Sequence, residues 1–339
     1  MKKVSNNENM DIVIAWVDGS DKKWLDEKNK YLKEQGFDRR LGAYRDWDLL
    51  KYWFRGIEKN VPWVNKVYFV TWGHTPSWLN KKNEKLVIVR HDEFIPKEYL
   101  PTFSSHPIEI NLHRIKGLKE KFSYFNADMY IIDKMYPEDF FINGIPCDRA
   151  VLNINIPKLS WQIQKINNNN ISVINEEFEF RSSIKKNFSK WINFKYGMDM
   201  FRTLWLLPCP RFPGIKHEHA NGNYLKSTCE EVWNRYFDIM DSTSKNKFRN
   251  PNTDINQWLY KDWQIASGNF IPQKRNSYFC DLKFRDKFNS YIDVIKQQKC
   301  KIVCINDADD MEENEFLSKK EELIKAFNKI LPDKSSFEL

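Results

Sequence analysis

Glycine is scarce, at 11 of 339 residues. No G-x-G-x-x-G, G-x-x-x-x-G-K-[ST] or G-x-S-x-G occurs, which disfavours dinucleotide enzymes, P-loop enzymes and α/β-hydrolases. No apolar run reaches the length of a membrane span. The opening MKKVSNNENM lacks the apolar stretch of a secretory signal, so none is expected there. The six cysteines (Cys147, Cys209, Cys229, Cys280, Cys300, Cys304) are scattered. The grouping Cys209, His217, His219 and Cys229 fits no common zinc spacing, so reduced thiols in a cytoplasmic protein are expected. With 41% hydrophobic and 29% charged residues, the chain is neither disordered nor fibrous, and its length excludes a small disulfide scaffold.

Aromatic residues, by contrast, are plentiful: 13 Trp, 14 Tyr and 24 Phe. Lys and Arg outnumber Asp and Glu by 54 to 46, a net +8. The basic residues are dispersed among acidic ones and no nucleic-acid motif occurs, so no nucleic acid partner is expected. An anionic membrane surface or a phosphorylated substrate suits the same charge.

Buried strands are predicted at 11–17, where the run is short, apolar and β-branched, and at 66–71, 85–90, 121–125, 204–208 and 301–305, which are further short strand-like runs. Amphipathic helices are predicted over 45–59, where Trp47, Leu50, Phe54 and Ile57 recur at helical spacing, and over 104–118, with Ser105 as cap. Ser227 with Glu230, and Asp254 with Gln257, read as N-terminal capping pairs, and a last helix covers about 315–330. The Asn run at 167–170 reads as a surface loop. Alternating strands and helices indicate an α/β fold. The expected organisation is one catalytic domain with its core at 11–132 and 201–339, interrupted by a variable segment at 133–200.

Three acidic clusters follow predicted strands: Asp18 with Asp21, Asp128, and Asp307. Open α/β sheets bind ligands beyond the carboxyl ends of their strands. Carboxylates there suit a divalent cation that also takes phosphate oxygens, though Asp in such places also simply favours turns. Arg45, Arg55 and Arg249 are candidates for clamping phosphate. His217 and His219 flank Glu218, and in an extended segment both imidazoles fall on one side. Glu109 and His113 share a helical face.

As an ordered set these pieces resemble the Stealth proteins, sugar-1-phosphate transferases of capsule and exopolysaccharide synthesis. The resemblance rests on four blocks: IAWVDGSDKKW (14–24); RDWDLLKYWFRGIEKNVPWVNKVYFVTWGHTPSWLN (45–80) continuing through 100–131; HEHANGNYLKSTCEEVW (217–233) with FRNPNTDINQWLYKDWQIASGNF (248–270); and CINDADD (304–310) with LPDKSSFE (331–338). It implies a GT-A-like nucleotide-diphospho-sugar transferase core and transfer of a sugar-1-phosphate to a glycan hydroxyl with release of nucleoside monophosphate. It further implies dependence on a divalent metal, Mg²⁺ or Mn²⁺. The implied partners are a nucleotide-sugar donor, UDP-GlcNAc being one candidate, and a glycan or polysaccharide acceptor. The implied location is the cytoplasm, with peripheral association at the inner face of a bacterial membrane.

Carried onto this chain, the resemblance implies donor and phosphate contacts from Asp18, Gly19, Ser20, Asp21, Arg45, Asp46, Arg55, Glu109, His113, Asn126 and Asn306. Asp128, Arg249 and either His217 or His219 are implied at the reacting phosphate, and Asp18, Asp128 and Asp307 at the metal. One position departs from the family. Asn-Asp-Asp is usual after the second-block strand, and this chain has Asn126-Ala127-Asp128. An inactivating change, a natural variation in which Asp128 suffices, and an altered function are the three readings. A conventional glycosyltransferase releasing nucleoside diphosphate, and an inactive sugar-nucleotide or glycan-binding protein, are the rival functions.

Overall fold

The structure is a computed structural model that describes residues 10–35, 45–158, 162–308 and 310–339. Residues 1–9, where no secretory signal is expected, and Asp309 of the CINDADD block lie outside the described residues.

In chain order the strands are β1 (Asp11–Ala15), β2 (Val67–Thr71), β3 (Leu86–Arg90), β4 (Lys121–Asn126), β5 (Met129–Ile131), β6 (Phe141–Ile142), β7 (Ile145–Asp148), β8 (Gly222–Leu225), β9 (Ile271–Pro272), β10 (Ser277–Asp281) and β11 (Ile302–Asn306). The central sheet has the order β3-β2-β1-β4-β8, with β1 to β4 parallel and β8 antiparallel. Its inner strands read as near-continuous apolar runs because both faces are covered. Ile12, Ile14, Phe69 and Phe125 face one core; Val13, Tyr68, Val70 and Tyr124 face the other. On the first face the helix Leu50–Asn60 packs Tyr52, Trp53, Phe54 and Ile57 into the core. Gly56 makes that approach possible, since a Cβ there would meet the Ile131 carbonyl oxygen at 2.5 Å.

The chain leaves β1 for β2 and β3 on one side and returns to β4 on the other. Ala15 lies opposite Asn126 in register. This reversal opens a crevice at the carboxyl ends of β1 and β4, where α/β sheets bind ligands. A second sheet, β10-β11-β5, abuts it: β5 starts three residues after β4 ends and pairs antiparallel with β11. The α/β class and the strands at 11–17, 66–71, 85–90, 121–125 and 301–305 are found within two residues of their expected limits.

Several expected elements differ. The helix at 45–59 begins only at Leu50, because Asp48 takes the left-handed conformation (φ 54°). The helix at 104–118 ends at Asn111 and continues as one 3₁₀ turn; Ser104, not Ser105, caps it through the His106 N–H. LWLLP is no strand but the end of the helix Asp199–Leu206, which buries Met200, Thr203 and Leu206. A five-residue apolar run does not reveal its period. Ser227 lies inside the helix Lys226–Arg235, where its hydroxyl donates to Glu120 rather than closing a capping box. Asp254 does not cap Trp258–Ser267 either.

The Asn run is not a loop. It lies in the helix Gln162–Glu177, where the Asn169 amide donates to the Pro251 and Asp254 carbonyls and Asn170 donates to Asn256. Residues 133–200 also join the second core through Ile171, Ile174 and Phe180, and β7 pairs with β9. No helix of the described residues is long and apolar enough to cross a membrane.

Candidate active site

The loop after β1 is closed by its own side chains. Asp18 Oδ1 accepts from the Ser20 N–H at 2.8 Å and the Ser20 hydroxyl at 2.6 Å. Asp21 Oδ1 accepts from the Trp24 N–H at 2.8 Å, capping the helix Lys22–Gln35. His74, just beyond β2, ties the Asp18 backbone to the Asp21 carboxylate. Its Nε2 accepts from the Asp18 N–H at 2.7 Å, which leaves the proton on Nδ1, 3.6 Å from Asp21 Oδ2. Burial lowers the His74 pKa, keeping the ring neutral. His74 sits in the quoted second block, yet nothing in its spacing pairs it with Asp18.

At the end of β4, Asn126-Ala127-Asp128 leads into β5. The Ile305 N–H donates to the Asp128 carbonyl, and the Cys304 thiol donates to Asp128 Oδ2 at 3.3 Å. His219 Nε2 lies 3.9 Å from the same oxygen. Burial raises the Asp128 carboxyl above its usual value and pushes the Cys304 thiol far up, so the thiol stays protonated. The Ala127 methyl packs against the first core rather than standing free in the crevice.

The polar loop before β8 brings the histidines to this edge. Glu218 turns away to Arg149 and to the Ser277 hydroxyl. Both imidazoles therefore share one side, as alternation in an extended segment requires. Both touch Trp258: His217 stacks flat on it (centroids 4.6 Å, 11°), and His219 stands edge-on to it and to Phe279. Their surroundings differ. His217, 4% exposed, pairs at 3.2 Å with the wholly buried Asp262, whereas His219, 29% exposed, opens toward Asp128. Neither Trp258 nor Asp262 carried a sequence signal beyond membership of the third block.

Other predicted residues take varied positions. Arg45 reaches Asp307 at 3.7 Å and the Met311 carbonyl, and lies over Phe316. Asn306 donates to Asp281. Asp46 accepts from the Asp48 N–H, and Lys320 holds its carbonyl, so this loop leans on the last helix. Arg249 follows Phe248, which stacks on Phe103 in a cluster that includes Val17 and Trp24 from the β1 side. Arg249 approaches the Ser105 hydroxyl at 3.4 Å; burial first, and then the Arg249 charge, lowers the pKa of His106, itself paired with Asp254 at 2.8 Å. Glu109 is buried near this pair, and its carboxylate adds to the burial that raises the pKa of Tyr124 of β4.

Arg55 does not clamp phosphate. Its guanidinium is consumed by a bidentate pair with Glu338 (2.8 Å twice) and by the Leu331 and Pro332 carbonyls. His113 does not reach the crevice. It sits in the 3₁₀ turn against Trp233, and burial lowers its pKa to about 3. His91, also buried, is lowered to about 4. In the unfolded chain both titrate near 6.5. Between those values the unfolded state binds protons that the folded state refuses. Their stabilisation is therefore complete above pH 6.5 and is lost as pH falls. From pH 7 to pH 5 the expected loss is roughly 2 kcal/mol for each histidine. Urea midpoints at the two pH values measure it, and a His91→Gln/His113→Gln variant should flatten the difference. Equal midpoints in the unmodified protein would refute the assignment.

Of the three predicted metal ligands only Asp128 joins a ligand-like group among the described residues, with His219 and Cys304 within 4.8 Å. Asp18 is outside it because its Oδ1 closes the β1 loop, and Asp307 because Arg45 and the Ala308 N–H draw it aside. A protonated thiol is a poor ligand. Asp128 Oδ1, however, is buried with no hydrogen-bond partner. One unsatisfied carboxylate oxygen does not make a closed cage. It does fit a hard cation that takes most of its oxygens from phosphate and water.

A family model described as Stealth protein CR1, conserved region 1, matches residues 8–36, and one described as Stealth protein CR2, conserved region 2, matches residues 43–147. The chain is 40% identical over 338 residues to the capsular polysaccharide phosphotransferase WcwK of Streptococcus pneumoniae, covering 99% of each chain. It is 38% identical to the receptor polysaccharide phosphotransferase WefC of Streptococcus oralis, covering 97% of this chain and 99% of that one. It is 36% identical to the exopolysaccharide phosphotransferase cps2G of Lactiplantibacillus plantarum, covering 97% and 96%. A solved galactosyltransferase, LgtC, superposes at a TM-score of 0.42 with 10% identity over 95% of this chain and 96% of that one, too loosely to bear on function. With two conserved regions matched and 40% identity along its whole length, the chain belongs to the Stealth protein family.

Proposed function

We propose that this protein, acting as a single catalytic domain, transfers a sugar-1-phosphate from a nucleotide-diphosphate-sugar to a glycan hydroxyl in capsule or exopolysaccharide assembly. The observation that carries this reading is the 40% identity, end to end, with a capsular polysaccharide phosphotransferase. The site chemistry supports it. The β1 loop (Asp18, Gly19, Ser20, Asp21), braced by His74, and Asn126 would hold the donor. The acceptor oxygen attacks the β-phosphorus, forming an O–P bond as the bond from phosphorus to the bridging oxygen breaks. The bridging oxygen leaves on nucleoside monophosphate, and the acceptor proton goes to His219. Arg45 and Arg249 would offset charge on the phosphoryl oxygens.

A Mg²⁺ or Mn²⁺ ion held by Asp128, with substrate oxygens completing its shell, would supply further positive charge. His217, locked between Trp258 and Asp262, is a positioning residue in this reading. UDP-GlcNAc is one candidate donor, and the cytoplasmic face of the membrane is the proposed location.

Product analysis tests the proposal. One nucleoside monophosphate should appear for each sugar-phosphate transferred, read by chromatography of reactions with a panel of nucleotide sugars. Nucleoside diphosphate as product would overturn it in favour of ordinary glycosyl transfer. Ala127 gives the inactive-binder reading a specific observation. Donor binding without turnover, persisting in Ala127→Asp, would decide for that reading.

A further inference from the structure

The segment 181–211 carries seven Lys and Arg residues against the single Asp199, a net +6 of the chain's +8. The same segment exposes its largest apolar side chains. Phe194 is 90% exposed, Trp205 85% and Met198 80%, and Phe201 is exposed beside them. The helix Asp199–Leu206 explains how. Met200, Thr203 and Leu206 face the core, and the Thr203 hydroxyl accepts from the Leu152 N–H. Met198, Phe201 and Trp205, at helical spacing, point the other way. Ile154 and Ile156 extend the patch from the adjoining strip, where Arg202 donates to Asn153.

A helix apolar on its outer face as well as its inner one is not explained by folding. Soluble surfaces rarely carry contiguous apolar patches of this kind without a partner. The basic residues of the same segment, Arg181, Lys185, Lys186, Lys195, Arg202 and Arg211, are all exposed, and Lys195 and Arg202 directly follow Phe194 and Phe201 in the chain. Lys190 and Lys195 donate to the Gly268 and Pro272 carbonyls, which leaves their charge unneutralised. Asp199, the one acid, is spent on Arg149 and Lys216.

We infer that this face docks in the plane of an anionic membrane surface, with Phe194, Met198, Phe201 and Trp205 entering the headgroup boundary and the surrounding lysines and arginines meeting acidic lipid. Apolar insertion rimmed by cations is the physical signature of interfacial binding. A second copy of this chain is the less favoured occupant, because two such faces would set +6 against +6. Arg149 connects the docking helix to the site, bridging Asp199 at 3.0 Å and Glu218 between the two histidines. A docked molecule would therefore hold its crevice at a fixed attitude to the lipid.

Co-sedimentation of the full chain with phosphatidylcholine vesicles containing about one-third phosphatidylglycerol tests this. Binding should weaken at least about tenfold in Phe201→Ser/Trp205→Ser, and about as much on raising salt to ~0.5 M or removing the acidic lipid. Circular dichroism and monophosphate release with a short water-soluble acceptor should be unchanged in the variant, so vesicle binding and transfer are read separately. Equal binding by wild type and variant would overturn the inference. So would no vesicle binding by the wild type, or a dimer in sedimentation velocity that the variant dissolves.

Discussion

Replacing His219 with alanine should lower kcat by about 10²–10⁴-fold, the usual contribution of a positioned general base. The unfolding midpoint should stay close to that of the unmodified protein. The ring is partly exposed, lies 3.9 Å from Asp128, and is held edge-on by Trp258 and Phe279 without a buried ion pair of its own. Removing it would delete the proposed proton acceptor without breaking a buried ion pair. The neighbouring His217→Ala substitution separates chemistry from architecture. It leaves the buried Asp262 without the imidazole 3.2 Å away, so stability should fall along with activity. The check is a pair of measurements on each variant: kcat from initial rates and the urea midpoint. His219→Ala retaining more than about a tenth of wild-type turnover would remove it from the base role.

Replacing Arg55 with alanine should cost about 3–5 kcal/mol of folding stability, the range found when one partner of a buried ion pair is removed. Four donor contacts are lost at once, two to Glu338 and one each to the Leu331 and Pro332 carbonyls. The side chains are 9% and 6% exposed, so water does not replace them. The lost pair joins the second block of the sequence to the last, because Glu338 also accepts from the Ser335 N–H and hydroxyl. Phe337, which packs on Phe54, should loosen with it. Denaturant unfolding of Arg55→Ala and of the Arg55→Met/Glu338→Met pair measures the effect. The double variant removes both charges and should recover much of the loss. A midpoint within error of wild type for Arg55→Ala would show that the pair holds nothing in place.

Much of the central sheet is legible in the sequence. A strand buried on both faces tends to be short and rich in β-branched or aromatic residues; IVIA and VYFVT are runs of the first kind and KFSYF of the second. The carboxylates after them are legible too, since a turn at a strand end is where a short polar side chain can satisfy the backbone. The histidine loop follows from alternation alone: two imidazoles one side, Glu218 the other. The elements that differ from expectation do so for two reasons. LWLLP has too few residues to display a period. The Asn run has a strong local preference for turns, but Asn169 and Asn170 find partners near residues 251–256, some 80 positions away in the chain. Tertiary hydrogen bonds outweighed a local preference worth less than one of them.

Composition, the order of apolar runs and the four blocks determine by themselves that this is an α/β protein of the Stealth kind, with carboxylates at strand ends and candidate arginines and histidines elsewhere in the blocks. Those properties are local, each set by a residue and its near neighbours. Which of those groups meet was decided only by the tertiary structure. Arg55 is committed to Glu338 and His113 to Trp233, whereas His74 joins Asp18 and Asp21, and Cys304 joins Asp128. The same holds for charge. The +8 total is a sum over the chain, and its concentration beside an apolar patch became visible only once the helix Asp199–Leu206 turned Trp205 and Phe201 outward. Burial and pairing depend on contacts between residues far apart in the chain, so no reading of spacing alone supplies them.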